Sequence, residues 1–141
     1  MTTTEPDMND WNAQVIAGLR ENGGQGSGPF EGVPMLILHH TGAKSGQPRE
    51  TPLVYLADGD RWIIFASKAG APAHPHWYLN VTANPDVEVE VDGETIPARA
   101  AEITGAEHDE IYARQVAAMP QFGEYQEKTD RLIPVVALTR A

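Results

Sequence analysis

The chain has no cysteine, few aromatic residues and half as many cations as carboxylates. Without cysteine there is no disulfide framework, no thiolate metal cage and no thiol nucleophile, which fits a reducing cytoplasm. Ten Lys and Arg against twenty Asp and Glu leave a net charge of -10. Such a surface repels a phosphodiester backbone, so nucleic acid is excluded as a partner. Long apolar runs are also missing. The start Met1-Thr2-Thr3-Thr4-Glu5 carries neither a basic cluster nor a hydrophobic stretch, so neither a signal peptide nor a spanning helix is expected. There is no Walker loop, nucleophile elbow or His-Glu-x-x-His pair to support triphosphate use or hydrolysis.

What is present, at 141 residues, suits one core. Met8, Trp11, Val15, Ile16 and Leu19 recur at helical spacing, predicting an amphipathic helix from Met8 to Glu21 capped by Asn9 or Asp10. A glycine-rich joint through Pro29 follows, so residues 1–29 read as helix plus linker and 30–141 as the main domain. Apolar or alternating runs predict strands at Val33–His39, Pro52–Ala57, Arg61–Ser67, Val87–Val91, Thr95–Ile103 and Ile133–Thr139. Asp58-Gly59-Asp60 and Asp92-Gly93 sit where hairpin turns belong. A short helix is expected from Pro75. A second, from Gly105 to Ala118, has Thr104 and Glu107 as a capping box and Ile111, Tyr112, Val116 and Met119 inward. Hairpins with few helices point to a mainly β (α+β) barrel of about six antiparallel strands rather than a parallel α/β sheet.

The loop Gly42-Ala43-Lys44-Ser45-Gly46-Gln47-Pro48-Arg49 combines backbone donors, a hydroxyl and two cations. Phosphate or carboxylate binding needs that mixture, although an ordinary surface turn can have the same composition. Residues 31–70 balance Lys44, Arg49, Arg61 and Lys68 against Glu31, Glu50, Asp58 and Asp60. The negative charge therefore lies elsewhere. Ser67-Lys68-Ala69-Gly70 follows a strand, where loop amides and a lysine at a barrel rim meet ligands or merely solvent. Trp77 and Tyr78 could edge a planar group or pack the core, and Phe122 with Tyr125 could wall a substrate or seat a helix. His39, His40, His74 and His76 have no carboxylates at completing spacing, and adjacent His39 and His40 should face opposite sides of a strand, so no metal site is expected.

In combination these segments carry more than any one of them. Leu36-Ile37-Leu38 leads to Thr41-Gly42-x-Lys44-Ser45-Gly46-Gln47-Pro48-Arg49. Pro52-Leu53, Ala66-Ser67-Lys68-x-Gly70, Pro75-x-Trp77-Tyr78-x-Asn80 and Ala83-Asn84-Pro85 follow in order, and Tyr125-Gln126 through Val136 closes the series. The whole resembles the deazaflavin-dependent nitroreductase and quinone reductase family over residues 30–140. The resemblance implies a split β-barrel like those of flavin reductases and FMN-binding proteins. It also implies an actinobacterial enzyme that passes a hydride from reduced coenzyme F-420, an 8-hydroxy-5-deazaflavin, to a quinone, nitro compound or activated enone.

Carried over by residue, it implies that Lys44, Ser45, Gly46, Gln47, Pro48 and Arg49 hold the phosphate and polyglutamate tail. Pro52, Ala66, Ser67, Lys68, Pro75, His76, Trp77 and Asn80 would surround the ring. Trp11, Met119, Phe122 and Tyr125 would form the acceptor wall, with the first helix as a lid and Tyr125 or water giving the proton. The chain departs from the family at Ala43, where arginine is frequent, and at His39-His40, where threonines are usual. Met119 and Phe122 also stand where a nitro-activating member has tyrosines. Homodimer formation and peripheral contact of the first helix with a membrane stay open. So do two other readings, an FMN oxidoreductase and a non-catalytic binder of deazaflavin, haem or lipid.

Overall fold

The computed structural model describes residues 6–26 and 31–141; the side chains of 6–11 and 69 lie outside this description. Helix α1 (Pro6–Glu21) precedes strands β1 (Met35–Thr41), β2 (Pro48–Asp58) and β3 (Arg61–Phe65). After a single 3-10 turn at Lys68–Gly70 come α2 (His76–Ala83), β4 (Asp86–Val91), β5 (Glu94–Ile103), α3 (Gly105–Ala118), α4 (Gln121–Glu127) and β6 (Val135–Arg140). The six strands, all antiparallel, close into a barrel in the order β1-β2-β3-β6-β5-β4. This is the expected barrel, with helices on its outside and at one end.

Two helix starts differ from the sequence reading. α1 begins at Pro6, a residue whose fixed φ suits a first turn, which leaves Asn9 and Asp10 inside the helix instead of capping it. Thr104 does precede α3 but makes no side-chain cap bond, and Glu107, the other half of the expected box, pairs with Arg61 at 2.7 Å instead. β2 also starts earlier, at Pro48. The loop after β1 is therefore shorter than expected, and Pro48 and Arg49 stand on a strand.

Strand alternation sorts the side chains into three layers. Leu36, Leu38, Ile64, Val87, Val89, Val91, Ala98, Ala100, Val136 and Leu138 fill the inside, with Trp77 and Val81 of α2 inserted as a plug. On one outer face Ile63, Phe65, Val135 and Ala137 pack under Ile111, Tyr112 and Phe122 of α3 and α4. On another, Met35 and Ile37 receive Ile16 and Leu19 of α1. The later half of the α1 stripe, from Val15 to Leu19, is thus spent on the barrel. Arg20 adds bonds to Glu50 at 2.8 Å and to Glu90 at 2.9 Å, and Arg20 holds the Glu90 carboxyl down at about 2.

Up-and-down connection has a consequence for position. β1, β3 and β5 end where β2, β4 and β6 begin, so the Gly42–Gln47 loop, the Ser67–Gly70 rim, α2, α4 and the entry to β6 all gather at one end. The turns Gly59-Asp60 and Asp92-Gly93 lie at the other. α1 runs between the two ends. Gly24, just beyond it, sits so close to the far turn that a Cβ would lie 2.6 Å from Asp92 Cα, while Asn12 and Ala13 border a groove with Thr41 and Pro48. The first turns of α1, which carry Trp11, are therefore at the loop end.

Candidate functional site at the loop end of the barrel

The loop between β1 and β2 is closed by its own hydrogen bonds. Gly42 N–H donates to Gln47 O at 2.9 Å, Gly46 N–H to Gly42 O at 3.0 Å, and Gln47 N–H to Ser45 Oγ at 3.1 Å. Among the described residues, the amides of Lys44 and Ser45 have no hydrogen-bond partner, and neither Lys44 nor Arg49 is in an ion pair. Two cations without carboxylates, in a chain with twice as many acids as bases, leave their attraction available to a ligand. This donor set fits a phosphate and carboxylate tail, the anionic part of a deazaflavin cofactor.

Asn80 ties the loop to α2. Its Oδ1 accepts from Ala43 N–H at 2.8 Å, which fixes the amide so that Nδ2 faces His40 Nδ1 at 3.0 Å. Nδ2 can only donate, so Nδ1 accepts, and Nε2–H of His40 donates to Thr51 Oγ1 at 2.9 Å. His40 is buried, and burial first, then Arg49 and His39, hold its pKa down at about 4. The unfolded chain takes up that proton near 6.5, so between pH 6.5 and 4 the unfolded state binds more protons than the native one. Folding stability should fall with falling pH across that window by at most about 3 kcal/mol. His40→Asn, measured by urea melts at several pH values, should remove most of this slope.

The other wall of the site is built around a residue to which the sequence reading assigned no role. Arg131, in the entry to β6, donates to Ala66 O at 3.0 Å, Ser67 O at 2.9 Å, Ala71 O at 3.0 Å and His74 Nδ1 at 3.0 Å. Its planar fork reaches several acceptors on one loop, which no other side chain does as well. Its sequence signal was its place in the segment from Tyr125 to Val136 that shares in the family resemblance, which gave it no partner; its target lies about sixty residues earlier. Lys68, in the loop so held, has φ 47, a strained conformation for a side chain with a Cβ and one that clusters at functional sites.

α4 closes over this rim. Gly70 has φ +83, and a Cβ there would lie 2.8 Å from Tyr125 O and 3.0 Å from Lys128 Cβ. Gly70→Ala should therefore cost about 2 kcal/mol or more in chemical denaturation, through both backbone strain and the clash. Tyr125 is half-buried with its ring 5.1 Å from that of Phe122, and among the described residues its hydroxyl has no hydrogen-bond partner. The hydroxyls of Tyr78 and Tyr112 are both committed, to Glu102 and to Phe122 O. Of these three tyrosines, Tyr125 is the one whose hydroxyl is uncommitted among the described residues.

The structure thus gathers nearly all the sequence-predicted residues at one end, in different states of exposure. Lys44, Ser45, Gly46, Gln47, Pro48, Arg49, Lys68 and His76 are exposed, and Ser67 is half-buried. Ala66, Pro75, Trp77 and Asn80 are buried and form the floor, whereas Pro52, also buried, lies opposite Ile37 and so turns to the outer face under α1, away from them. Met119 is half-buried and accepts a long bond of 3.5 Å from Gln115, while Phe122 is buried against Phe65 and Tyr112. Trp11 lies in α1 with its side chain outside the described residues. The histidines do separate as expected: His39 faces Glu90 at 3.0 Å and Glu50 at 3.5 Å on the α1 side, whereas His40 points to α2. Among the described residues no three His, Asp or Glu side chains converge as metal ligands.

A groove of about 1050 Å³ runs between α1 and the β1–β4 seam, meeting the loop at Thr41, Pro48 and Arg49. It does not cover the Ser67–Lys68 rim. A ligand held by Arg49 could extend either way.

Comparison with known proteins bears on this arrangement. The model of the family described as F420H2-dependent quinone reductase matches residues 11–140. An F420H2-dependent quinone reductase of Mycobacterium tuberculosis is 46% identical over 112 residues, covering 76% of this chain and 74% of its own. Among solved structures, an F420-H2 dependent reductase aligns with TM-score 0.68 and 42% identity over 74% of this chain and 93% of its own. A domain-swapped dimer aligns with TM-score 0.70 and 35% identity over 96% of this chain and 99% of its own.

Proposed function

The chain belongs to the F420H2-dependent quinone reductase family, and on that premise we infer that it transfers a hydride from reduced coenzyme F-420 to a quinone. It is an oxidoreductase with coenzyme F-420 as its cofactor. The observation that carries the site is the loop end of the barrel, where unpaired cations and free amides lie beside a rim held by Arg131. Lys44, Ser45, Gly46, Gln47, Pro48 and Arg49 would hold the phosphate and tail. Ala66, Ser67, Lys68, Pro75, His76, Trp77 and Asn80 would border the ring.

Bound there, the cofactor supplies a hydride, and a quinone that receives it becomes a quinol once one proton is added. The protein positions the reactants and keeps water away. The rim backbone, pinned by Arg131, sets the level of the floor. Met119 would give an apolar side with Phe122 packed behind it, and Trp11, at the loop end of α1, would complete it with α1 as a lid. Tyr125 would deliver the proton through its uncommitted hydroxyl. Tyr125→Phe should lower kcat by about a hundredfold, the low end of the usual reach of a positioned acid, while cofactor affinity stays within about twofold. Stopped-flow turnover with separate binding titrations checks this.

The direct test mixes the protein with reduced F-420 and a menaquinone analogue and follows the return of oxidised-cofactor absorbance. Oxidation that needs both protein and quinone supports the reading. A purified protein that carries yellow flavin instead would replace it with the FMN reading. The domain-swapped relative supports a homodimer here as well, for which light scattering should give twice the 15.3 kDa chain mass. No helix of the described residues is long and apolar enough to cross a membrane. Peripheral contact would have to use residues other than Ile16 and Leu19, which are buried on the barrel.

A further inference from the structure

We propose that His40 is a positioning residue for the cofactor's anionic end: by accepting from Asn80 Nδ2 it keeps Asn80 Oδ1 on the Ala43 amide, and so fixes the loop that presents Lys44 and Ser45. The inference rests on the reading of that loop as the tail site. Its basis is a chain of bonds that permits only one direction. A backbone N–H at 2.8 Å can only donate to Asn80 Oδ1, which forces the Asn80 amide nitrogen onto His40 Nδ1 at 3.0 Å. His40 in turn is held by Thr51 at 2.9 Å. Rotating the Asn80 amide would set two donors against Ala43 and an oxygen against a ring nitrogen, breaking both contacts.

The arrangement works only with neutral His40. A proton on Nδ1 would face the Asn80 donor, and the easiest relief is for Asn80 to turn and release Ala43. The groups facing His40 favour the neutral form on balance. Arg49 stands opposite on β2 and His39 precedes it on β1. Thr51 and Asn80 are neutral, and the acids of the adjoining groove, Glu50, Asp86 and Glu88, share that space with Arg20. Protonation of one buried ring would thus loosen the loop that carries Lys44 and leads into Arg49. Cofactor grip becomes sensitive to acid near pH 4.

Asparagine and glutamine separate the two arms of the ring. His40→Asn keeps an acceptor near the Nδ1 position, whereas His40→Gln keeps a donor near Nε2 and loses the acceptor. F-420 binding, followed by fluorescence, should stay within about twofold in His40→Asn and weaken about tenfold in His40→Gln, one restraining bond's worth. Wild-type affinity should fall as pH is lowered through about 4, where the native ring takes up its proton, more steeply than that of His40→Asn, since protonation of the cofactor's own carboxylates is common to both. The Ala43 amide resonance of the cofactor-free protein should move in His40→Gln and hold in His40→Asn. Equal losses in the two variants, affinities that follow melting temperature alone, or an unmoved Ala43 amide would overturn the inference. A wild type that binds no F-420 while its Ala43 amide responds as stated would remove the tail-site reading and leave the relay standing.

Discussion

Arg131→Met should lose about 3 kcal/mol of stability and weaken F-420 binding by more than tenfold, the largest effect of a single substitution expected in this protein. Its guanidinium answers three backbone carbonyls and a histidine nitrogen on one loop. Methionine fills similar space with no donor, so these acceptors are left in a half-buried place where water reaches only some of them. The bonds do not simply add, because freed carbonyls regain part of their solvation; about 3 kcal/mol allows for this. The affinity loss has a separate cause. Ser67 and Lys68 lie in the loop that Arg131 holds, and Lys68 keeps its unfavourable φ of 47 only under constraint from its surroundings. Arg131→Lys should fall between, since an ammonium cannot span acceptors that a planar fork reaches. Urea melts and fluorescence titration measure the two effects separately. A variant that melts early but binds normally when folded would mean that Arg131 supports the fold and not the rim.

The double variant Lys44→Ala, Arg49→Ala is expected to weaken cofactor binding by about 2–3 kcal/mol, roughly 30-fold to 150-fold, with little change in stability. Both side chains are exposed and, among the described residues, neither pairs with a carboxylate, so folding gains little from them. Their attraction to a phosphate and tail carboxylates is partly screened by solvent, which keeps the loss below the sum of two buried contacts. Raising salt should weaken wild-type binding and barely affect the double variant. Isothermal titration at low and high salt, with melts alongside, checks both parts. Unchanged affinity would move the anion site away from this loop.

The contrast between these substitutions marks what could be read before any fold was known. The Lys44–Arg49 loop was legible because its chemistry is local: glycines, a hydroxyl and two cations fall within eight residues. Arg131 was not, because its partners are at 66, 67, 71 and 74, and nothing in the neighbourhood of an arginine states which carbonyls it will meet. The same holds for Glu107. Its place three residues after Thr104 suggested a cap, but the barrel brings Arg61 to it, and a carboxylate prefers a guanidinium to a backbone amide. Asn80 was singled out, although not its grip on Ala43 or on His40.

By itself the sequence determined the six strands, their turns, the apolar stripe of α1 and the family, since periodicity and short motifs depend on neighbours along the chain. It also determined that His39 and His40 would part, because successive strand residues face opposite ways. Only the tertiary structure decided that the loop, the rim, α2 and α4 share one end, that Phe122 is packed while the hydroxyl of Tyr125 has no partner among the described residues, and that His40 rather than His39 faces the Asn80 amide behind the Gly42–Gln47 loop. Those outcomes follow from barrel closure and register, which bring together residues forty to sixty-five positions apart and leave no trace in local composition.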